Sequence, residues 1–163
     1  MIQPTTNPTY TVISNHGFAE IVQNSFTQQR SLHAVSTFNA DDVICSFSAK
    51  ETLSQPTYLT VQVEEEKHIT LDPEFLQYIN HSCNPNVFFD TTSFLLIALT
   101  KIEVGDEFTF FYPSTEWNMA QPFNCFCNTA RCLHQIQGAV YLDDAVLQHY
   151  RLTDFIQQQI NKR

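Results

Sequence analysis

The 163-residue chain predicts a mainly β protein with short helices, its strands gathered into several small sheets. Short β-rich segments recur along it with no helical stretches alternating between them, which argues against a βαβ layout. Glycine occurs at positions 17, 105 and 138 only, so most turns fall to Pro, Asn, Asp and Ser. Apolar residues make up 43% and aromatics 13%, with fourteen Phe among them, enough for one buried core.

The β-rich segments are, in order, Tyr10–Ser14, Ala19–Gln23, Ala34–Phe38, Val43–Phe47, Leu59–Val63, Val87–Phe89, Phe94–Leu99 and Phe108–Tyr112. A short turn of helix is expected over Pro73–Tyr78, with Asp72 as N-cap and Pro73 at the first helical position. A longer helix is expected over Asp143–Ile160. Its apolar residues, among them Val146, Leu147, Tyr150, Phe155 and Ile156, form an approximate stripe for packing against the body. No internal repeat, low-complexity tract or linker interrupts the chain.

Eight Lys and Arg against seventeen Asp and Glu give 8 − 17 = −9. That sign disfavours nucleic acid, whose phosphates need basic side chains. It suits a basic partner such as a Lys-rich protein segment or peptide, or it serves solubility alone. The first twenty residues hold no basic cluster followed by an apolar run, and the longest apolar run, Phe94–Leu99, falls far short of the roughly 20 residues of a spanning helix. The expectation is an intracellular, cytoplasmic protein (nuclear in a eukaryote) with no membrane partner. There its five cysteines are reduced, and clustered ones read as metal ligands rather than disulfides.

Cys125 and Cys127 form a CxC pair, with Cys132 after four intervening residues. Such a pair offers two thiolates to one ion and the third follows closely; tetrahedral zinc then needs a fourth ligand. Four metal-free buried thiols are the alternative. Cys45, in the apolar stretch Val43–Phe47, reads as a small core residue.

Three motifs together carry a resemblance. Asn80-His81-Ser82-Cys83-Asn84-Pro85-Asn86 matches the NHSCxPN motif of SET-domain protein methyltransferases, Gly105–Tyr112 resembles their GEExTFxY segment, and the CxCx4C pattern matches a post-SET segment. The order and separations also agree, and the resemblance runs from about Asn24 to about Gly138. It implies small curled sheets around a knot-like crossing where the two motif segments meet. The implied layout is a SET domain over 1–120, a post-SET zinc segment over 121–138 and a C-terminal helical extension over 139–163.

The resemblance implies the chemistry as well. S-adenosylmethionine is the methyl donor, held by Asn80 and His81, with Tyr112 as the catalytic tyrosine. Cys83 completes the zinc site of Cys125, Cys127 and Cys132. The zinc pins Leu133–Gly138 over the cofactor pocket, with Phe126, Leu133 and Ile136 on the adenine side. Phe110 stands where the family carries Phe or Tyr, and a Phe there implies more than one methyl per lysine. Tyr78, Trp117 and Tyr58 are candidate channel walls.

The family's GxG turn falls on Gln29-Arg30-Ser31, so Arg30 and Ser31 take the cofactor-facing positions without the glycines that let backbone approach a ligand. Asp41 replaces a second turn glycine. The leading expectation is transfer of methyl to the ε-amine of lysine in a basic protein segment. An enzyme of the same fold acting on a small metabolite, and a non-catalytic SET-like binding module, are the alternatives.

Overall fold

A computed structural model describes residues 7–163. The strands, numbered in chain order, are β1 (Tyr10–Asn15), β2 (Ala19–Asn24), β3 (Arg30–Ala34), β4 (Val43–Ser46), β5 (Ser48–Leu53), β6 (Val61–Glu64), β7 (Lys67–Asp72), β8 (Asn80–His81), β9 (Val87–Asp90), β10 (Leu95–Ala98), β11 (Thr109–Phe110), β12 (Phe123–Asn124) and β13 (Gln135–Ile136). They form three three-stranded sheets, β1-β2-β3, β4-β10-β9 and β5-β7-β6, and two two-stranded pairs, β11-β8 and β12-β13. The sheets enclose a core in which Leu32, Phe89, Leu96, Ile102 and Phe108 are wholly buried. Cys45 packs against it, and burial pushes that thiol up to about 11.

The parallel pair β8–β11 joins the two motifs, with Thr109 opposite Asn80 and Phe110 opposite His81. Asn86, the last residue of the first motif, fastens it. Its Nδ2 donates to the Glu107 carbonyl at 2.8 Å and its Oδ1 accepts from the Thr109 amide at 2.9 Å. The Ser82 amide donates to the Phe110 carbonyl at 3.0 Å. A short polar motif thereby holds two half-buried strands together through paired backbone groups.

The third strand of the first sheet begins earlier than the sequence pattern indicates, at Arg30 rather than Ala34. The turn lies at Asn24–Gln28, where Asn24 Oδ1 accepts from the Phe26 and Thr27 amides at 2.8 and 3.1 Å. Gln29-Arg30-Ser31 is therefore the entry to β3 rather than a turn, and of the expected strand Ala34–Phe38 only Ala34 stays in the sheet, with Phe38 in an isolated bridge to Ile102. The left-handed residue is Gln28, at φ 61°. A non-glycine residue there costs about 1 kcal/mol, and the Gln28 side chain is turned away to donate to the Ser25 carbonyl at 2.9 Å. Asp41 also takes the left-handed form, at φ 69°, as its turn position requires.

The expected helices are shorter and differently capped. The first is a 3-10 turn over Glu74–Tyr78 preceded by Pro73, while Asp72 belongs to β7 and caps nothing. The single helix expected over Asp143–Ile160 is two, α1 (Asp144–Leu147) and α2 (Asp154–Lys162). Asp143 caps the first by accepting from the Val146 amide, and Thr153 caps the second from the Ile156 amide. The break releases Tyr150, whose ring stacks on Phe111 at 3.6 Å and whose hydroxyl donates to the Cys83 carbonyl at 2.8 Å. Gly138 marks where the tail leaves the body. Its φ is 121°, and a Cβ there would meet the Trp117 carbonyl oxygen at 2.5 Å, so no other residue fits. Among the described residues no helix is long and apolar enough to cross a membrane.

Candidate active site

A cleft of about 900 Å³ opens beside the β8–β11 pair. Its lining includes Arg30, Tyr78, Asn80, His81, Phe110 and Tyr112, drawn from β3, the 3-10 turn, β8 and the end of β11. Gln121–Cys127 forms a further wall, with Tyr58 and Phe126 standing exposed at its rim.

Tyr112 leaves β11 into a 3-10 turn and stacks obliquely on Phe110, with ring centroids 4.6 Å apart; Phe110 in turn meets Phe89 at 4.9 Å. No described residue bonds its hydroxyl. Desolvation, reinforced by the charges of Glu107 and Glu116, pushes the phenol up to about 12. At neutral pH it is therefore a protonated hydrogen-bonding group in an aromatic pocket.

His81 connects this tyrosine to the cysteines. Its Nδ1 accepts from the Tyr112 amide at 3.2 Å, so the proton of the neutral ring lies on Nε2, which is 3.3 Å from Cys83 Sγ. Burial holds the ring neutral, with its pKa down at about 4. Asn80 Nδ2 donates to the Arg30 carbonyl at 3.0 Å and to Glu107 Oε1 at 3.3 Å. Its amide donors are thus spent on joining β3 to β8, and Oδ1 is left for a ligand.

Cys83, Cys125, Cys127 and Cys132 bring their sulfurs within 4.8 Å of one another, with Cys83 and Cys125 at 4.0 Å. Tetrahedral bonds of about 2.3 Å place sulfurs about 3.8 Å apart, so the four thiols fit a single tetrahedral metal ion. Backbone donors already point at the sulfurs, the Leu133 amide reaching Cys83 Sγ at 3.4 Å. Burial would raise the Cys127 thiol, but hydrogen bonds from Thr129 outweigh it and bring the value down to about 6, favouring the thiolate a metal requires.

Four expected site residues lie elsewhere. Trp117 packs with Ala139, Leu147 and Phe155 under the tail helices, with the Arg163 guanidinium 5.8 Å from its ring centre, and does not line the cleft. Ser31 is buried, its hydroxyl 2.9 Å from His33 Nε2, because strand alternation sends its side chain away from Arg30. Leu133 and Ile136 pack on the cysteines. The cleft wall is therefore the segment leading into the CxC pair, and not Leu133–Gly138 beyond it.

One cleft residue escaped the sequence reading. Glu116 is only 7% exposed, and its Oε1 accepts from the Gln62 amide at 2.9 Å and the Thr115 hydroxyl at 3.1 Å. Its one sequence signal is a lone charge in the otherwise uncharged run Tyr112–Gln121.

Known proteins match this chain in sequence. The SET domain family matches residues 11–113. The methyltransferase flvH of Aspergillus flavus is 33% identical over 151 residues, covering 91% of this chain and 84% of that protein. A histone-lysine N-methyltransferase, H3 lysine-36 specific, from Candida albicans is 35% identical over 77 residues, 44% of this chain and 9% of that protein. Its Saccharomyces cerevisiae counterpart is 27% identical over 103 residues, 60% of this chain and 14% of that protein. The chain thus spans most of the first relative and a small fraction of the other two. With the paired motif strands, the cleft beside them and the four-thiol cluster, this places the chain in the SET-domain family of methyltransferases.

Proposed function

We propose that the chain transfers methyl from S-adenosylmethionine to the ε-amine of lysine in a basic protein segment, with zinc in the four-cysteine site. The observation that carries this reading is the unbonded Tyr112 hydroxyl, set among aromatic rings in the cleft that Asn80 and His81 also line. S-adenosylmethionine supplies an electrophilic methyl on a sulfonium. Asn80 Oδ1 and the His81 backbone would hold the donor, and Arg30, the cation that lines the cleft, would pair with its carboxylate. Tyr112 orients the amine, while Phe110 and Phe89 exclude water and favour the uncharged amine. The Phe110 ring also leaves space for a second methyl. Four thiolates suit zinc, which would pin Phe123–Cys127 as the cleft wall. A site of four reduced thiolates suits a cytoplasmic or nuclear reaction, and the net charge of −9 suits a basic partner.

Titrating S-adenosylmethionine into zinc-replete protein tests the donor site, with Asn80→Ala as the control. Micromolar binding abolished by that substitution is expected, and an absence of binding would overturn the reading. A second reading, methylation of a small amine, is favoured by the relative that aligns over nearly the whole chain, which is named only as a methyltransferase. Products from a lysine-rich peptide and from free alkylamines separate the two.

A further inference from the structure

Among the described residues, Glu116 is the one buried ionisable group in the cleft that the mechanism above leaves without a task. It follows Tyr112 by one turn, and its amide donates to the Tyr112 carbonyl at 3.0 Å. The Gln62 amide from β6 and the Thr115 hydroxyl fix its carboxyl through Oε1. No described residue donates to Oε2. That oxygen is not sealed in either, since Ser114 Oγ is the only sealed, unpartnered side-chain oxygen among the described residues. Glu116 lines the cleft with Tyr112.

The groups around it are neutral: the Gln62 amide, Thr115 and the Tyr112 phenol. The nearby charge is also acidic, because Glu107 acts with Glu116 on Tyr112. Arg30 lines the cleft with its guanidinium over the Tyr78 ring, and none of the described ion pairs includes Glu116. A buried carboxyl without a cation is costly and calls for a ligand that compensates it. Burial pushes it up to about 7, in the range where a carboxylate both exists and accepts a proton at neutral pH.

We propose that Glu116 receives the substrate's ammonium group in the cleft through Oε2 and takes its proton before methyl transfer. This rests on the reading above in taking an amine as acceptor. An N–H bond of the ammonium breaks and an O–H bond forms on Glu116, leaving the electron pair on nitrogen. That pair forms the new N–C bond to the sulfonium methyl, while the S–C electrons stay on sulfur as a neutral thioether. The product is a methylammonium, and the proton on Glu116 leaves through the open cleft.

The test is the pH profile of kcat/KM on a lysine-rich peptide for wild type and Glu116→Gln, which keeps a neutral oxygen for Gln62 and Thr115. Wild type is expected to lose rate as pH falls below about 7, where the carboxyl protonates. The variant must wait for free amine, so its deficit of about 100-fold at pH 7 should shrink to less than about tenfold at pH 9.5. A deficit constant with pH, or none, overturns the proposal while leaving peptide methylation standing. If no peptide turns over, carbon-13 spectra of labelled glutamate carboxyls at pH 7 decide with n-butylamine as probe. A resonance missing from Glu116→Gln and shifted by butylamine supports the proposal even though the peptide reading fails. A resonance that butylamine does not move overturns it.

Discussion

The body of the molecule and its cysteine segment are held by different forces. Around Leu32, Phe89 and Phe108 the sheets bury an extensive apolar core. The segment from Phe123 to Ile136 has as its buried centre only Cys125 and Ile136, with Cys83 from the body. At about 25 cal/mol per Å² the first region can hold itself by burial. The second buries too little to offset the ordering of its chain, and the proposed zinc would supply the difference. Yet the second supplies the cleft wall, so the fold and the site depend on different interactions.

Metal removal should separate the two most strongly. Chelation, or Cys125→Ser, is expected to abolish methyl transfer and to release the Cys125 amide from its 2.7 Å bond to the His134 carbonyl. The Phe108 amide, bonded to the Leu32 carbonyl at 2.8 Å, should stay protected. Native-state hydrogen exchange with and without chelator reads both amides, and equal loss at both would erase the distinction.

Phe108→Ala should do the reverse, costing about 3–5 kcal/mol of global stability in urea unfolding. The four sulfurs would keep their metal under native conditions, measurable as bound zinc per chain.

Glu116 lies at the junction, its carbonyl accepting from the Ala139 amide of the tail at 2.9 Å. Because its folded pKa is raised from 4.5 to about 7, the folded state binds more protons between those values. Its contribution is therefore present below pH 4.5 and lost as pH rises through 7. Stability of Glu116→Gln relative to wild type should climb by about 3 kcal/mol from pH 4.5 to pH 8. A flat difference would show that the carboxyl is solvated.

The smallest expected effect is at the tail. Tyr150→Phe removes the hydroxyl that reaches the Cys83 carbonyl and should cost about 1 kcal/mol. Stacking on Phe111 would keep the helices docked, as judged by unchanged fluorescence of Trp117.

Much of this was legible from residues alone. The paired motifs, the Cys125, Cys127 and Cys132 trio and most strands rest on strong local patterns, while Cys83 joins the set only through the resemblance. β5 escaped notice because its residues, Ser48–Leu53, are almost all exposed and show no apolar alternation. The helical stripe over Asp143–Ile160 was real, but the capping preference of Thr153 and the partners of Tyr150 divided it. The place of Trp117 in the stretch before the cysteines suggests a channel wall, whereas tail packing claims it. Glu116 stayed invisible because nothing local marks a buried charge; only the fold brings Gln62 to it.

The most direct test is mass spectrometry of a lysine-rich peptide after incubation with S-adenosylmethionine and the zinc-loaded protein, alongside Tyr112→Phe. The expected result is lysine carrying more than one methyl, with the variant slower by about 100-fold. Donor that binds while no lysine or alkylamine gains a methyl would contradict the assignment of Tyr112 and its cleft to methyl transfer.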